Sequence, residues 1–173
     1  MMILINGGSK CGKSGFAESL LQAHTGPKIY LATMQPYGAE ADIAISRHRK
    51  QREGKGFQTL EQYTDLHTIE LPAHSAVLLE CIGNLTANEL FREKPADDCV
   101  SHIIRGLRHL HDTSDLFVAV TNQVGSDGIA YAAGTAAYIA AICAVNQSAA
   151  RLADQVYECV YGIPVLCKGG KPC

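Results

Sequence analysis

The sequence predicts one α/β domain, a mainly parallel sheet flanked by helices and closed by a C-terminal pair of strands. Three observations lead there. Short apolar runs alternate with longer segments of helical period, the pattern of strands joined by helical crossovers. No linker, repeat or low-complexity stretch divides residues 1–173, a length that suits a single domain. The composition, 47% apolar and 18% charged, supports a packed core and argues against disorder.

Taken in order, "MILIN" (2–6) is an apolar run broken by Gly7-Gly8, a buried strand, and helical pattern follows from Lys13 to about Ala23. "KIYLAT" (28–33) is a second strand, closed by a loop holding Pro36 and Gly38. From Ala39 to Arg52 the pattern is helical, with Ala41, Ile45, His48 and Arg52 on one face, and Gly54 and Gly56 end it. "FQTLE" (57–61) reads as a short strand, "AVLLEC" (76–81) and "LFVAVTN" (116–122) as clear ones. Helices fit 84–93 and 98–112, the second with Asp98 as N-cap, and a further helix covers about 135–152. Strands "QVYECVY" (155–161) and "PVLCK" (164–168) join at a turn centred on Gly162.

The bulk numbers exclude several classes. A net charge of −2 gives no long-range attraction to nucleic acid or anionic membrane, so any basic site is local. No signal peptide opens the chain, and a cytoplasmic protein is expected. Residues 129–150 carry no charge, but alanine dominates them, so they read as loop and packed helix rather than as a membrane span. The seven cysteines are scattered without a CxxC and read as reduced thiols, and the histidines lack metal-ligand spacing.

Chemistry is carried first by "GGSKCGKS" (7–14), which satisfies G-x-x-x-x-G-K-[ST] between a strand and a helix. Gly7, Gly8, Ser9, Lys10, Cys11 and Gly12 would curl backbone N–H groups around phosphate oxygens, aided by the helix N-terminus. Lys13 would sit on the β- and γ-phosphates and Ser14 would ligate Mg²⁺. A nucleoside triphosphate is the expected ligand of a P-loop NTPase domain. Cys11 reads as a small residue filling the loop, a redox role being the alternative. Glu80 ends a strand, where such domains keep a second acid for Mg²⁺ or for activating a nucleophile. Asn122 and Gln123 end another.

His48 lies among Arg47, Arg49, Lys50 and Arg52. Nearby cations disfavour the imidazolium, and a neutral imidazole is a competent nucleophile toward phosphorus. The bland reading is a solvated basic helix face.

"GGSKCGKSGFAE", "YLATMQPYGAEADIAISRHR", "LLECIGNLTANELF", "VTNQVG" and "VNQSAARLADQVYECVYGIPV" occur in this order. Together they resemble the bifunctional adenosylcobinamide kinase / adenosylcobinamide-phosphate guanylyltransferase family of cobalamin biosynthesis, over essentially the whole chain. The resemblance implies a RecA-like fold with two activities: phosphorylation of adenosylcobinamide, then transfer of GMP from GTP to the phosphate through a GMP-histidine intermediate. By alignment His48 is the GMP acceptor, with Lys13 and Glu80 catalytic. The nucleotide contacts it implies are Gly7 through Ser14, Thr33, Met34, Gln35, Arg49, Lys50, Gln51, Arg52, Glu61 and Glu80. It also implies a corrinoid substrate and a homotrimer. "NQVGSDGIAY" departs from the family pattern, with Gln123 in place of an acid, and the following helix lacks charges that many members carry. A P-loop small-molecule kinase without guanylyl transfer, or a non-catalytic nucleotide-binding regulator, is the alternative.

Overall fold

The computed structural model describes residues 1–38, 43, 46, 49, 50, 52–125 and 128–170. Seven strands form one sheet: β1 (Met2–Gly7), β2 (Lys28–Ala32), β3 (Phe57–Glu61), β4 (Ala76–Leu79), β5 (Leu116–Val120), β6 (Gln155–Val160) and β7 (Ile163–Lys168). The order across the sheet is β3-β2-β4-β5-β1-β6-β7. Every neighbouring pair is parallel except β6 with β7, which is antiparallel. This is the fold class expected, including the C-terminal strand pair.

Period-two alternation sorts the strand residues onto two faces. Ile3, Ile5, Leu78, Val118, Val120 and Tyr157 pack with Ala17 of α1 (Lys13–Leu20) and with Leu21, its C-cap. Met2, Leu4, Val77, Leu79, Phe117 and Ala119 pack against three helices: α2 (Ile82–Phe91), α3 (Cys99–Thr113) and α4 (Ala133–Leu152). Both faces of the central strands are thus covered, which is why they read as continuous apolar runs.

Local chemistry sets the boundaries. Asp98 caps α3, its carboxylate accepting from Ser101 N at 3.0 Å. The expected strand over 76–81 stops at Leu79 because Cys81 is the N-cap of α2, its Sγ accepting from Asn84 N at 3.4 Å. Ile43, Ser46, Arg49, Lys50 and Arg52 are helical; Ala41, Ile45, His48 and Gln51 lie outside the described residues. The uncharged segment forms α4, whose first turns are exposed and whose buried residues are Ile142, Val145 and Ala149. Among the described residues no helix is long and apolar enough to cross a membrane.

Leu107 of α3 is fully buried in the larger core cluster. Leu107→Ala removes that packing and leaves a cavity, so the urea midpoint should fall by the equivalent of about 2–5 kcal/mol.

Candidate active site

A parallel sheet gathers the carboxyl ends of its strands along one edge, and the candidate residues stand there. The chain leaves β1 at Gly7, whose φ of 150° and surroundings both require glycine. A Cβ there would lie 2.7 Å from the Cys159 carbonyl oxygen and 2.8 Å from Cys11 Sγ. The loop then turns through Gly12, which enters α1 with a left-handed φ of 95°. No side chain caps α1, so its first N–H groups face the loop, as an anion site requires. Lys13 is buried, and its ammonium donates to the Gly7 carbonyl at 2.9 Å and to the Gly8 carbonyl.

Beside the loop is a cavity of about 500 Å³ lined by residues 9–15, Met34, Glu80, Cys81, Asn84, Val120 and Asn122. Glu80 follows β4 and is held on two sides. Its backbone N–H donates to Leu31 O at 3.0 Å, and its carboxylate accepts from Thr33 N at 3.2 Å. Thr33 is buried with its hydroxyl donating to Cys81 O at 2.9 Å, so its side chain braces the wall of the cavity. Behind it, Asn88 Nδ2 donates to Thr33 O and Tyr63 O at 2.8 and 3.0 Å, tying the ends of β2 and β3 to α2.

A second recess adjoins the first. Tyr30, Ala32, Met34, Arg49, Arg52, Thr59, Glu61 and Glu80 line it, so Met34 and Glu80 belong to both. Arg52 is buried, its guanidinium carbon 3.3 Å from the centre of the Tyr30 ring. Burial, and next the Glu80 carboxylate, push the Tyr30 phenol far up, so it stays neutral under the guanidinium. Arg49 pairs with Glu61 at 3.0 Å, and Tyr63 donates to the same carboxylate at 2.9 Å. Lys50 lines the open outer part of this basic region with Arg49 and Arg52. Gln35 lies outside the lining of either recess. His48 and Gln51 fall outside the described residues.

Sequence reasoning missed the supporting residues. Cys81 faces the cavity and caps α2, and its thiol is pushed up by burial, so it acts as a packing group. Asn146 of α4 accepts from the Thr121 hydroxyl at 2.6 Å and donates to Asn122 O at 3.3 Å, fixing the turn after β5. An amide in an otherwise alanine-rich helix was the available signal. Asn88 had none.

The histidines that lack metal spacing in sequence partly converge in space. Ligand atoms of Asp65, His67 and His102 lie within 4.8 Å of one another. Arginines occupy that cluster: Arg92 Nη1 stands 2.8 Å from Asp65 and 3.2 Å from buried Glu89, and Arg105 Nη2 lies 3.1 Å from His102 Nδ1. The group is a half-buried network of hydrogen bonds and ion pairs bracing α2, which carries Asn88.

The family's sequence model, described as cobinamide kinase / cobinamide phosphate guanyltransferase, matches residues 3–167. The chain belongs to this family. It is 32% identical to the bifunctional adenosylcobalamin biosynthesis protein CobU of Salmonella typhimurium and 30% identical to that of Escherichia coli K12. In each case the match covers 97% of this chain and 100% of the relative. Among solved structures it is similar to a DnaB-like replicative helicase, with a TM-score of 0.48 and 11% identity over 91% of this chain and 47% of the helicase chain. A likeness of that size adds nothing to the topology itself.

Two outcomes are expected. Gly7→Ala forces the loop from the end of β6 and should abolish nucleotide binding by calorimetry while far-ultraviolet circular dichroism stays unchanged. Burial raises the Asp65 carboxyl, but the hydrogen bonds from His102 and Arg92 outweigh it and hold the pKa below its ordinary 3.8. The stabilisation is therefore present above that value and is lost as pH falls through the lowered one. Urea midpoints of the unaltered protein and Asp65→Asn should differ near neutrality, begin to approach each other near 3.8 and converge only below the lowered value.

Proposed function

We propose that this protein phosphorylates the hydroxyl of adenosylcobinamide from ATP or GTP, then transfers GMP from GTP to the resulting phosphate through His48. One observation carries the reading: the P-loop cavity and an adjoining recess walled by Arg49 and Arg52 share Met34 and Glu80 as lining residues. A phosphate site and a second cationic site share one acidic side chain, as two successive transfers at phosphorus would need.

In the first transfer the alcohol oxygen attacks the γ-phosphorus and the nucleoside diphosphate leaves. The loop N–H groups and Lys13 hold the oxygens on which charge accumulates. Ser14 and Glu80 line the same cavity and offer the hydroxyl and carboxylate oxygens that suit Mg²⁺. That ion, when bound, would supply charge neutralisation across the β- and γ-phosphates. Glu80 is anchored by Thr33 N, which fixes the carboxylate against the loop.

In the second transfer an imidazole nitrogen of His48 attacks the α-phosphorus of GTP and pyrophosphate leaves. The phosphate of the corrinoid then attacks the same phosphorus, the P–N bond breaks, and His48 is restored. Arg49 and Arg52 hold phosphate oxygens through planar, paired donors. The trimer implied by the resemblance is supported by apolar Ile163 and Val165 exposed on edge strand β7, and sedimentation velocity reads it.

The decisive test uses GTP labelled at the α-phosphate. The unaltered protein should retain acid-labile, base-stable label after denaturation, and His48→Ala should retain none. Label that persists in His48→Ala would place the GMP on another residue and overturn the role of His48, and absence of label from a protein that binds GTP would leave the kinase step alone. Lys13→Ala should lower kcat/KM for the kinase step by about a hundredfold or more.

A further inference from the structure

The P-loop has a second side. Between it and the β6–β7 hairpin lies an open recess of about 630 Å³, whose wall includes Gly8, Lys10, Gly12 and Tyr161. The hairpin turn is unusual. Val160 pairs with Ile163, leaving Tyr161 and Gly162 as the two turn residues, with φ of 51° and 85°. Positive φ at both positions is what a type I′ turn requires, and such turns take Asn, Asp or Gly at the first. A bulky aromatic residue held there is strained. Packing does not offset the strain, because the Tyr161 side chain is 96% exposed.

The hairpin tip is also fixed to the loop. Gly162 N donates to Cys11 O at 3.0 Å, and a Cβ on Gly12 would lie 3.2 Å from Gly162 Cα. The turn that carries the exposed ring is therefore held next to the phosphate-binding backbone. The direction of the nucleotide follows from the strand order. Glu80 and Asn122 lie toward β4 and β5, the side on which a terminal phosphate would meet Glu80. The nucleoside end must leave away from them, and β6–β7 is the opposite side.

We propose that Tyr161 is the platform on which the purine base of the P-loop nucleotide stacks. It rests on reading residues 7–14 as a nucleotide loop. A purine face laid on an exposed aromatic ring is stabilised whichever purine it is, so the subsite takes ATP and GTP alike and adds nothing to binding of the phosphates.

Calorimetric titration with GTP, ATP and inorganic tripolyphosphate, each with Mg²⁺, tests it. Tyr161→Asn should weaken both nucleotides by about 5- to 150-fold, with tripolyphosphate affinity unchanged, and Tyr161→Phe should bind like the unaltered protein. Because asparagine suits the turn, the thermal midpoint of Tyr161→Asn should equal or exceed that of the unaltered protein. Unchanged nucleotide affinity in Tyr161→Asn, an equal loss for tripolyphosphate, or a lowered thermal midpoint would each overturn the proposal. The P-loop reading stands apart: it fails, taking this subsite with it, only if the unaltered protein binds neither GTP nor tripolyphosphate.

Discussion

The closeness with which the chain leaving β1 passes the end of β6 governs this sheet edge. At Gly7 the backbone runs against the Cys159 carbonyl with no room for a side chain. That approach lets the loop curl back over its own strand, and the loop in turn sets where α1 begins. Because α1 starts at Lys13, the ammonium is drawn under the loop rather than out to solvent. The position of one glycine thus decides the position of the main cation. Opposite it, the hydrogen bond between Thr33 N and Glu80 decides the position of the main anion.

Around that pair the polar groups serve as struts. Thr33, Cys81 and Asn88 join the ends of β2 and β3 to α2, and Asn146 joins the end of β5 to α4. Each strut crosses between elements far apart in sequence, and each is at least partly buried, where an unmade hydrogen bond is expensive. The carboxyl ends of three strands are therefore held by side chains as well as by the sheet. The Arg92–Asp65–His102–Glu89 network extends the same bracing one layer outward.

How much of this was legible in the sequence depended on whether the signal was local. β1, the P-loop and α1 are one contiguous pattern, so period and glycine spacing gave strand, loop and helix together. The helix caps were legible where a carboxylate caps, at Asp98, and not where a thiol does, at Cys81, so the end of β4 was placed two residues late. The charge-free stretch before residue 150 was correctly read as a packed helix because alanine is too weakly apolar for a membrane. Residues whose role is to reach another element, such as Asn88 and Tyr30, carry no pattern of their own. Their meaning comes from tertiary contact alone. The gathering of Asp65, His67 and His102 was hidden for the same reason: the three come from two segments more than thirty residues apart.

The lysine in the loop has one more consequence. Its ammonium is docked on the carbonyls of Gly7 and Gly8, at the base of the cradle it serves. A phosphate oxygen reaching that ammonium would compete with the two carbonyls for its donors. Capture of a ligand is then a swap of partners at a rigid mount, with little chain left to order. A small neutral molecule has nothing to offer that cation in exchange, whereas an oligophosphate does. Selectivity for polyanions is in this sense built into the loop itself.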